Sequence, residues 1–382
     1  MIDTSPSREQ ARKTVLIHSP EIERYAYPDS SPFKTQRAVR TRSILLSMGL
    51  LNGPTATERP GEQASREELL ALHSADYLDV LQKADAGHFE LDFLSMGLGS
   101  EDCPVFSGMW DYSRLACGAS LTGARLILSG DAQIAINFSG GFHHAMPDRA
   151  SGFCYLNDVA LACKLLADSG KRVCTIDLDV HHGDGVQAAF YSRSDVLTIS
   201  MHESGKTLFP GTGFEDEVGS GPGEGFCANV PLPVGTYDGA YRLAFEEAVE
   251  PLARAYRPDM LVVELGMDGL AGDPLAHLNL TNNVFAFILQ RLLSFRIPIL
   301  ATGGGGYHTE HTSRGWALCF SVLSGQEEPS SDPEAGLDGS EWHGGLRDRA
   351  LLSHGGQRQR VDEELEATLE RLRAGILSFH GL

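Results

Sequence analysis

Five short apolar runs, each breaking into a polar, often glycine-rich stretch, constrain this chain more than any other feature. Ile134–Asn137 runs into FSGGFHHA, Val173–Asp177 into LDVHHGDG, and Val196–Ser200 into MHESGKTLFPGTG. Met260–Leu265 runs into GMDGLAGDP, and Ile297–Ala301 into TGGGGYH. The runs read as strands, and helical segments at Asp158–Asp168, Tyr237–Tyr256 and Asn282–Phe295 lie between them. Apolar strands alternating with helices predict an α/β fold with a parallel sheet covered on both faces. Ligands of such sheets bind just beyond the carboxyl ends of the strands, and every polar motif here falls at such an end. The five motifs are therefore expected to form one site.

The remainder of the chain fits one domain. Helices are predicted over Lys34–Met48, Arg66–Leu81 and Trp110–Leu128, a short strand over Val15–Ile17, and loop between Asp85 and Gly108. Residues 1–13 are polar and read as a frayed N-terminus ahead of a single domain spanning 14–382. Within it, 325–359 is rich in Gly, Ser and charge and reads as a surface excursion, and 361–378 as a terminal helix. The formal net charge is −20, with no basic stripe, so phosphate-mediated nucleic-acid binding is not expected. No apolar run is long enough to span a bilayer and no secretory signal is visible, so a cytoplasmic protein is expected. Seven cysteines, none in a CxxC pair, fit reduced thiols.

The chemistry centres on DLDVHHGDG. Side chains two apart on a strand share a face, so Asp177, Asp179 and His181 point the same way. Asp179 and His181 can supply two metal ligands and Asp268, in GMDG, a third. Three protein ligands with an open fourth position is the pattern of a catalytic zinc, and two hard carboxylates leave Fe²⁺ or Mn²⁺ open. His143 and His144 are candidate acid–base groups, because a metal-activated water needs a proton acceptor and an amine leaving group a donor. Asp177 and Asp184 are spare carboxylates that can orient them. Tyr307, after four glycines, can donate to a developing oxyanion, and Phe153 and Phe209 can wall a narrow apolar channel.

Taken with EDCPVFSG and GGFHHAMPDRASGFCYLND, these motifs resemble, in order, those of the zinc-dependent histone deacetylase family, including its bacterial acetoin-utilisation-type members. The resemblance runs from about Leu16 to Leu323. It implies the arginase/deacetylase α/β fold, with a central, mostly parallel sheet of about eight strands flanked by helices. It also implies hydrolysis of the amide of acetylated or acylated lysine in proteins or peptides. By motif position it makes Asp179, His181 and Asp268 the Zn²⁺ ligands and His144, paired with Asp184, the main general base and acid. His143, paired with Asp177, becomes its electrostatic partner, and Tyr307 the group that polarises the substrate carbonyl. Gly152, Phe153 and Phe209 line the acyl-lysine tunnel, Asp102 is the rim carboxylate, and Arg37 belongs to an acetate channel. The resemblance further implies structural K⁺ near Asp177, the backbone of Asp179 and His181, Ser200 and Met201. A second monovalent site falls around Phe190, Arg193, Val196 and Phe226.

The departures from the family pattern are few. Phe142 stands in place of the usual tryptophan, and basic residues for inositol phosphate are not evident near Pro274 or after Tyr307. Leu275 occupies the place where polyamine-selective relatives carry a glutamate, so lysine side chains are expected over acetylpolyamines, the alternative substrates of the same site. A non-catalytic acyl-lysine-binding protein is the remaining reading.

Overall fold

The computed structural model describes residues 13–326, apart from 52, 54 and 89, and then 337–338, 341–342, 345–351 and 355–382. One eight-stranded sheet organises it: β1 (Thr14–Ile17), β2 (Ala56–Arg59), β3 (Ile134–Asn137), β4 (Val173–Asp177), β5 (Val196–Glu203), β6 (Cys227–Leu232), β7 (Met260–Glu264) and β8 (Ile299–Thr302). The order is β2-β1-β3-β8-β7-β4-β5-β6, and every pairing is parallel. Every residue of β3, β4, β7 and β8 is buried, as the uninterrupted apolar runs require of strands covered on both faces.

Two strands escape sequence reading, β2 and β6, and both lie at the sheet's edges. An edge strand needs partners on one side only, so it tolerates the polar ATER of β2 and Pro231 in β6, signals that argue against a strand elsewhere. Pro298 likewise delays β8 to Ile299.

The helices differ from expectation where local chemistry intervenes. The stretch predicted as one helix over Arg66–Leu81 is two, Arg66–Leu69 and Ala75–Asp85, because Ser74 caps the second by accepting from the Tyr77 N–H. The segment Tyr237–Tyr256 is helical but contains a wide π-turn at Phe245–Val249. Pro251 stands two residues after it; its missing N–H and its ring disrupt regular α-helical bonding there. A short helix, Asp184–Phe190, and a long one, Thr309–Ser324, were not foreseen. The terminal helix starts earlier than expected, at Gly355, and ends at Ala374. The stretch 1–12 and about half of the polar excursion at 325–359 lie outside the described residues. All seven cysteines are free and buried. No helix among the described residues is long and apolar enough to cross a membrane.

Candidate active site

The strand order decides how the five motifs meet. Their strands are consecutive neighbours, β3-β8-β7-β4-β5, so their carboxyl ends form one continuous row. Asp179, His181 and Asp268 converge there with one ligand atom each, all within 4.8 Å of one another, and all three are buried. His181 Nδ1 lies 3.1 Å from Asp179 Oδ1 and 3.0 Å from Asp268 Oδ2. The remaining oxygens are held by backbone: Asp179 Oδ2 accepts from Gly305 N–H at 2.6 Å, and Asp268 Oδ1 from Val180 N–H at 3.0 Å. Burial opposes a charge on His181, but Asp179 and Asp268 outweigh it and raise its pKa to about 10. Burial and the Asp179 charge together raise Asp268 to about 7. In the metal-free chain a proton thus balances carboxylates that a divalent cation can balance instead, and the donor set of two carboxylates and one imidazole fits such an ion.

The two histidines of GGFHHA stand beside this group. His143 Nδ1 is 2.8 Å from Asp177 Oδ2, and His144 Nδ1 is 2.7 Å from Asp184 Oδ1. Their Nε2 atoms face each other at 3.1 Å. The neighbours divide their charge. Burial disfavours a charged His143, but Glu264 and Asp177 outweigh it and raise its pKa well above 6.5. Burial and the His143 charge lower His144 to about 4, against the opposing pull of Asp184. One ring is therefore held as a cation and the other as a neutral base.

Sequence reasoning missed several groups that build this arrangement. Glu264, the last residue of β7, is buried with neither oxygen hydrogen-bonded, and Oε1 lies 3.2 Å from His143 Nδ1. Burial and Asp177 raise its pKa well above 4.5. A carboxylate ending an otherwise apolar MLVVE run was the available signal. Asp158 accepts from the N–H groups of Gly141 and Phe142, at 3.0 and 2.8 Å, and so holds the turn before His143. Asp273, inside the recognised AGDP motif, accepts from Tyr307 N–H at 2.7 Å and Leu275 N–H at 2.9 Å.

His73 supports the same turn from below. Its Nδ1 is 3.1 Å from Met146 O, and its Nε2 accepts from Asn157 N–H at 3.1 Å. Asn157 Nδ2 in turn donates to the carbonyls of His143 and Ala145. Burial lowers the His73 pKa from 6.5 to about 4. Between those values the unfolded chain binds the proton that the folded chain refuses, so stability falls as pH drops from 6.5 toward 4. The loss is about 3 kcal/mol once both states are protonated. Urea unfolding at pH 7 and pH 5 is expected to show less loss in His73→Gln, whose amide supplies one donor and one acceptor without titrating.

The residues expected to line a tunnel lie near the group. The Phe209 ring lies 5.1 Å from that of His144 and is 42% exposed, as a wall at an opening would be. The Phe153 ring is 5.7 Å from that of Tyr307, which is 6.3 Å from His181. Gly152 has φ +50°, and a Cβ there would sit 2.4 Å from His144 Cδ2, so both backbone and space call for glycine. Phe142 is buried against Phe33 and Tyr112. Arg37 is buried beneath the glycine run, donating to Gly306 O at 2.6 Å and lying over Phe33 and Trp316. Asp102 is exposed, and Leu275 half-buried.

The expected potassium residues fall in two places. Ser200 pairs with Asp177 across β4 and β5, and its Oγ is 2.8 Å from His202 Nδ1; Met201 is buried next to it. Phe190, Arg193, Val196 and Phe226 instead lie toward the amino ends of β5 and β6, away from the row of motifs. Arg193 is engaged there by Asp168 and Asp195. His182 stands apart from the metal-ligand group, with its ring nitrogens 2.8 Å from Thr212 Oγ1 and 3.0 Å from Gln187 Oε1.

A parallel sheet gathering two aspartates and a histidine beside a paired-histidine relay defines a hydrolase with a metal-capable centre. The family model described as "Histone deacetylase domain" matches residues 31–323, and the chain belongs to the histone deacetylase family. It is 37% identical to histone deacetylase 8 of Xenopus tropicalis, over 85% of this chain and 88% of the relative. It is 39% identical to the acetoin utilization protein AcuC of Bacillus subtilis, over 82% of this chain and 83% of that one. The crystal structure of an HDAC homolog from Aquifex aeolicus superposes with a TM-score of 0.84 at 31% identity, covering 94% of this chain and all of that one. An HDAC homolog complexed with SAHA matches equally well, covering 95% of this chain.

Proposed function

We propose that the chain hydrolyses the side-chain amide of acetylated or acylated lysine in proteins or peptides, using Asp179, His181 and Asp268 to hold one Zn²⁺. Fe²⁺ suits the same donors. The observation that carries this reading is the meeting of that buried triad with a charged and a neutral histidine beside the rings of Phe209 and Tyr307. An ion held by the triad polarises the amide carbonyl and acidifies a water.

The chain's own groups supply the rest. Phe153, Phe209 and Gly152 admit an extended acyl-lysine and exclude bulk water from it. His144 is neutral, with Nδ1–H directed at Asp184, so its Nε2 lone pair receives a proton as water attacks. The cationic His143, held by Asp177 and Glu264, stabilises the charge that develops. The Tyr307 hydroxyl donates to the oxyanion, its backbone fixed by Asp273. His144 then returns its proton to the lysine amine, and acetate leaves. In this reading Arg37, buried and bonded to the Gly306 carbonyl, receives that anion, and the exposed Asp102 holds the substrate backbone at the rim. A structural K⁺ near Asp177, Ser200 and Met201 fits the same reading, and the Phe190, Arg193, Val196 and Phe226 cluster offers the second. We assign the activity to the cytoplasm and the fold to one domain over 14–382, with 325–359 as a surface excursion.

Chelation is expected to abolish turnover of an acetyl-lysine peptide, and Zn²⁺ to restore it in the wild type but not in Asp179→Ala. A panel of acyl-lysine peptides and acetylpolyamines tests the substrate class; a strong polyamine preference would overturn it.

A further inference from the structure

Glu203 ends β5 shut away from solvent, and the proton-transfer scheme has no use for it. Its N–H donates to Val180 O at 2.8 Å, in the turn that carries Asp179 and His181. Its carboxylate gathers two further loops. Oε1 accepts from the Thr207 hydroxyl at 3.0 Å and lies 2.9 Å from His277 Nδ1. Oε2 accepts from His277 N–H at 2.9 Å.

The positions of these partners give the contact its meaning. Thr207 stands two residues before Phe209, and His277 two residues after Leu275. A buried carboxylate persists only where donors meet it, and here every side-chain bond ties down a loop that carries Phe209 or Leu275. The His277 side chain is itself 58% exposed, so little but this carboxylate fixes its ring. Asp273 binds the other end of the Leu275 loop to Tyr307 and Gly235 N–H holds the His277 carbonyl, while the Glu203 carboxylate bridges this loop to the Phe209 loop.

We propose that Glu203 is a positioning residue: it clamps the Phe209 and Leu275 loops to the metal-bearing turn and thereby sets the width of the tunnel mouth. Its effect on substrate rests on the acyl-lysine reading above; the coupling of the two loops does not.

Hydrogen exchange on the metal-loaded protein tests the coupling without substrate. Glu203→Ala is expected to speed exchange about tenfold in both 205–211 and 273–280, leaving β3, β4 and β7 unchanged. Glu203→Gln, which keeps one acceptor, is expected to restore part of the protection, and it carries the test if the alanine variant fails to fold. Kinetics supply the second readout. Both variants are expected to raise KM for an acetyl-lysine peptide, by about tenfold in the alanine case, with kcat little changed. Faster exchange in one loop only, or spread evenly over the sheet, would overturn the clamp, as would a loss confined to kcat. A wild type that turns over no acyl-lysine peptide would instead defeat the functional reading, and exchange would still decide the coupling.

Discussion

His144→Ala is expected to lower kcat on an acetyl-lysine peptide by ~10²–10⁴-fold, the usual worth of one positioned acid–base group. Metal content per chain should be unchanged, because the ring contacts Asp184 and His143 rather than serving among the three converging ligands. Near wild-type turnover would remove His144 from the mechanism. Its partner should act differently. The His143 charge, after burial, is what lowers the His144 pKa to about 4. His143→Ala deletes that charge, so the His144 pKa rises and its neutral form needs a higher pH. The acid limb of the kcat profile should therefore move to higher pH in any residual activity, and a limb that stays in place would show that the two rings do not share charge.

Gly305→Ala is expected to weaken metal binding by ~10–100-fold or more, the range seen when groups that hold the ligands are disturbed. Gly305 donates its N–H to Asp179 Oδ2 at 2.6 Å, and an added Cβ would fall 1.9 Å from Asp268 Oδ2 and 2.9 Å from Asp179 Oδ2. Neither carboxylate can yield freely, since Val180 N–H holds Asp268 and His181 N–H holds Asp179. One methyl group thus displaces two of three ligands at once. Competition against a chromogenic chelator measures the affinity. Unchanged affinity would mean that the glycine run serves only as a turn. A dispersed loss of thermal stability without a change in affinity would place the effect in folding instead.

Much of the site was legible before any coordinates. Asp179 and His181 do converge, but through the turn after β4, which ends at Asp177, and not by strand alternation; Asp177 turns instead to His143. Apolar runs ending in polar motifs put five sets of groups at strand ends. The pairs His143–Asp177 and His144–Asp184, drawn from motif resemblance, appear as contacts of 2.8 and 2.7 Å. What escaped falls into two kinds. Edge strands β2 and β6 carry weak strand signals, because an edge bonds on one side only and so tolerates the polar ATER of β2 and Pro231 of the fully buried β6. Glu264, Asp158, His73 and Glu203 act through partners distant in sequence, and a lone carboxylate or imidazole looks the same whether it meets solvent or another loop.

By itself, then, the sequence determined the local periods: which residues share a face, where strands stop, and which chemical groups follow each stop. Short-range sterics and burial set those, so neighbouring residues suffice to read them. Only the tertiary structure decided that β3, β8, β7, β4 and β5 lie side by side, which brings Asp268 and Tyr307 to Asp179 and His181. It alone also decided the charges of the two histidines. Burial and the approach of Glu264 and Asp177 hold His143 cationic, and that charge, with burial, keeps His144 neutral. Strand order and pKa both depend on which distant groups share a low-dielectric interior, and linear spacing carries no information about that.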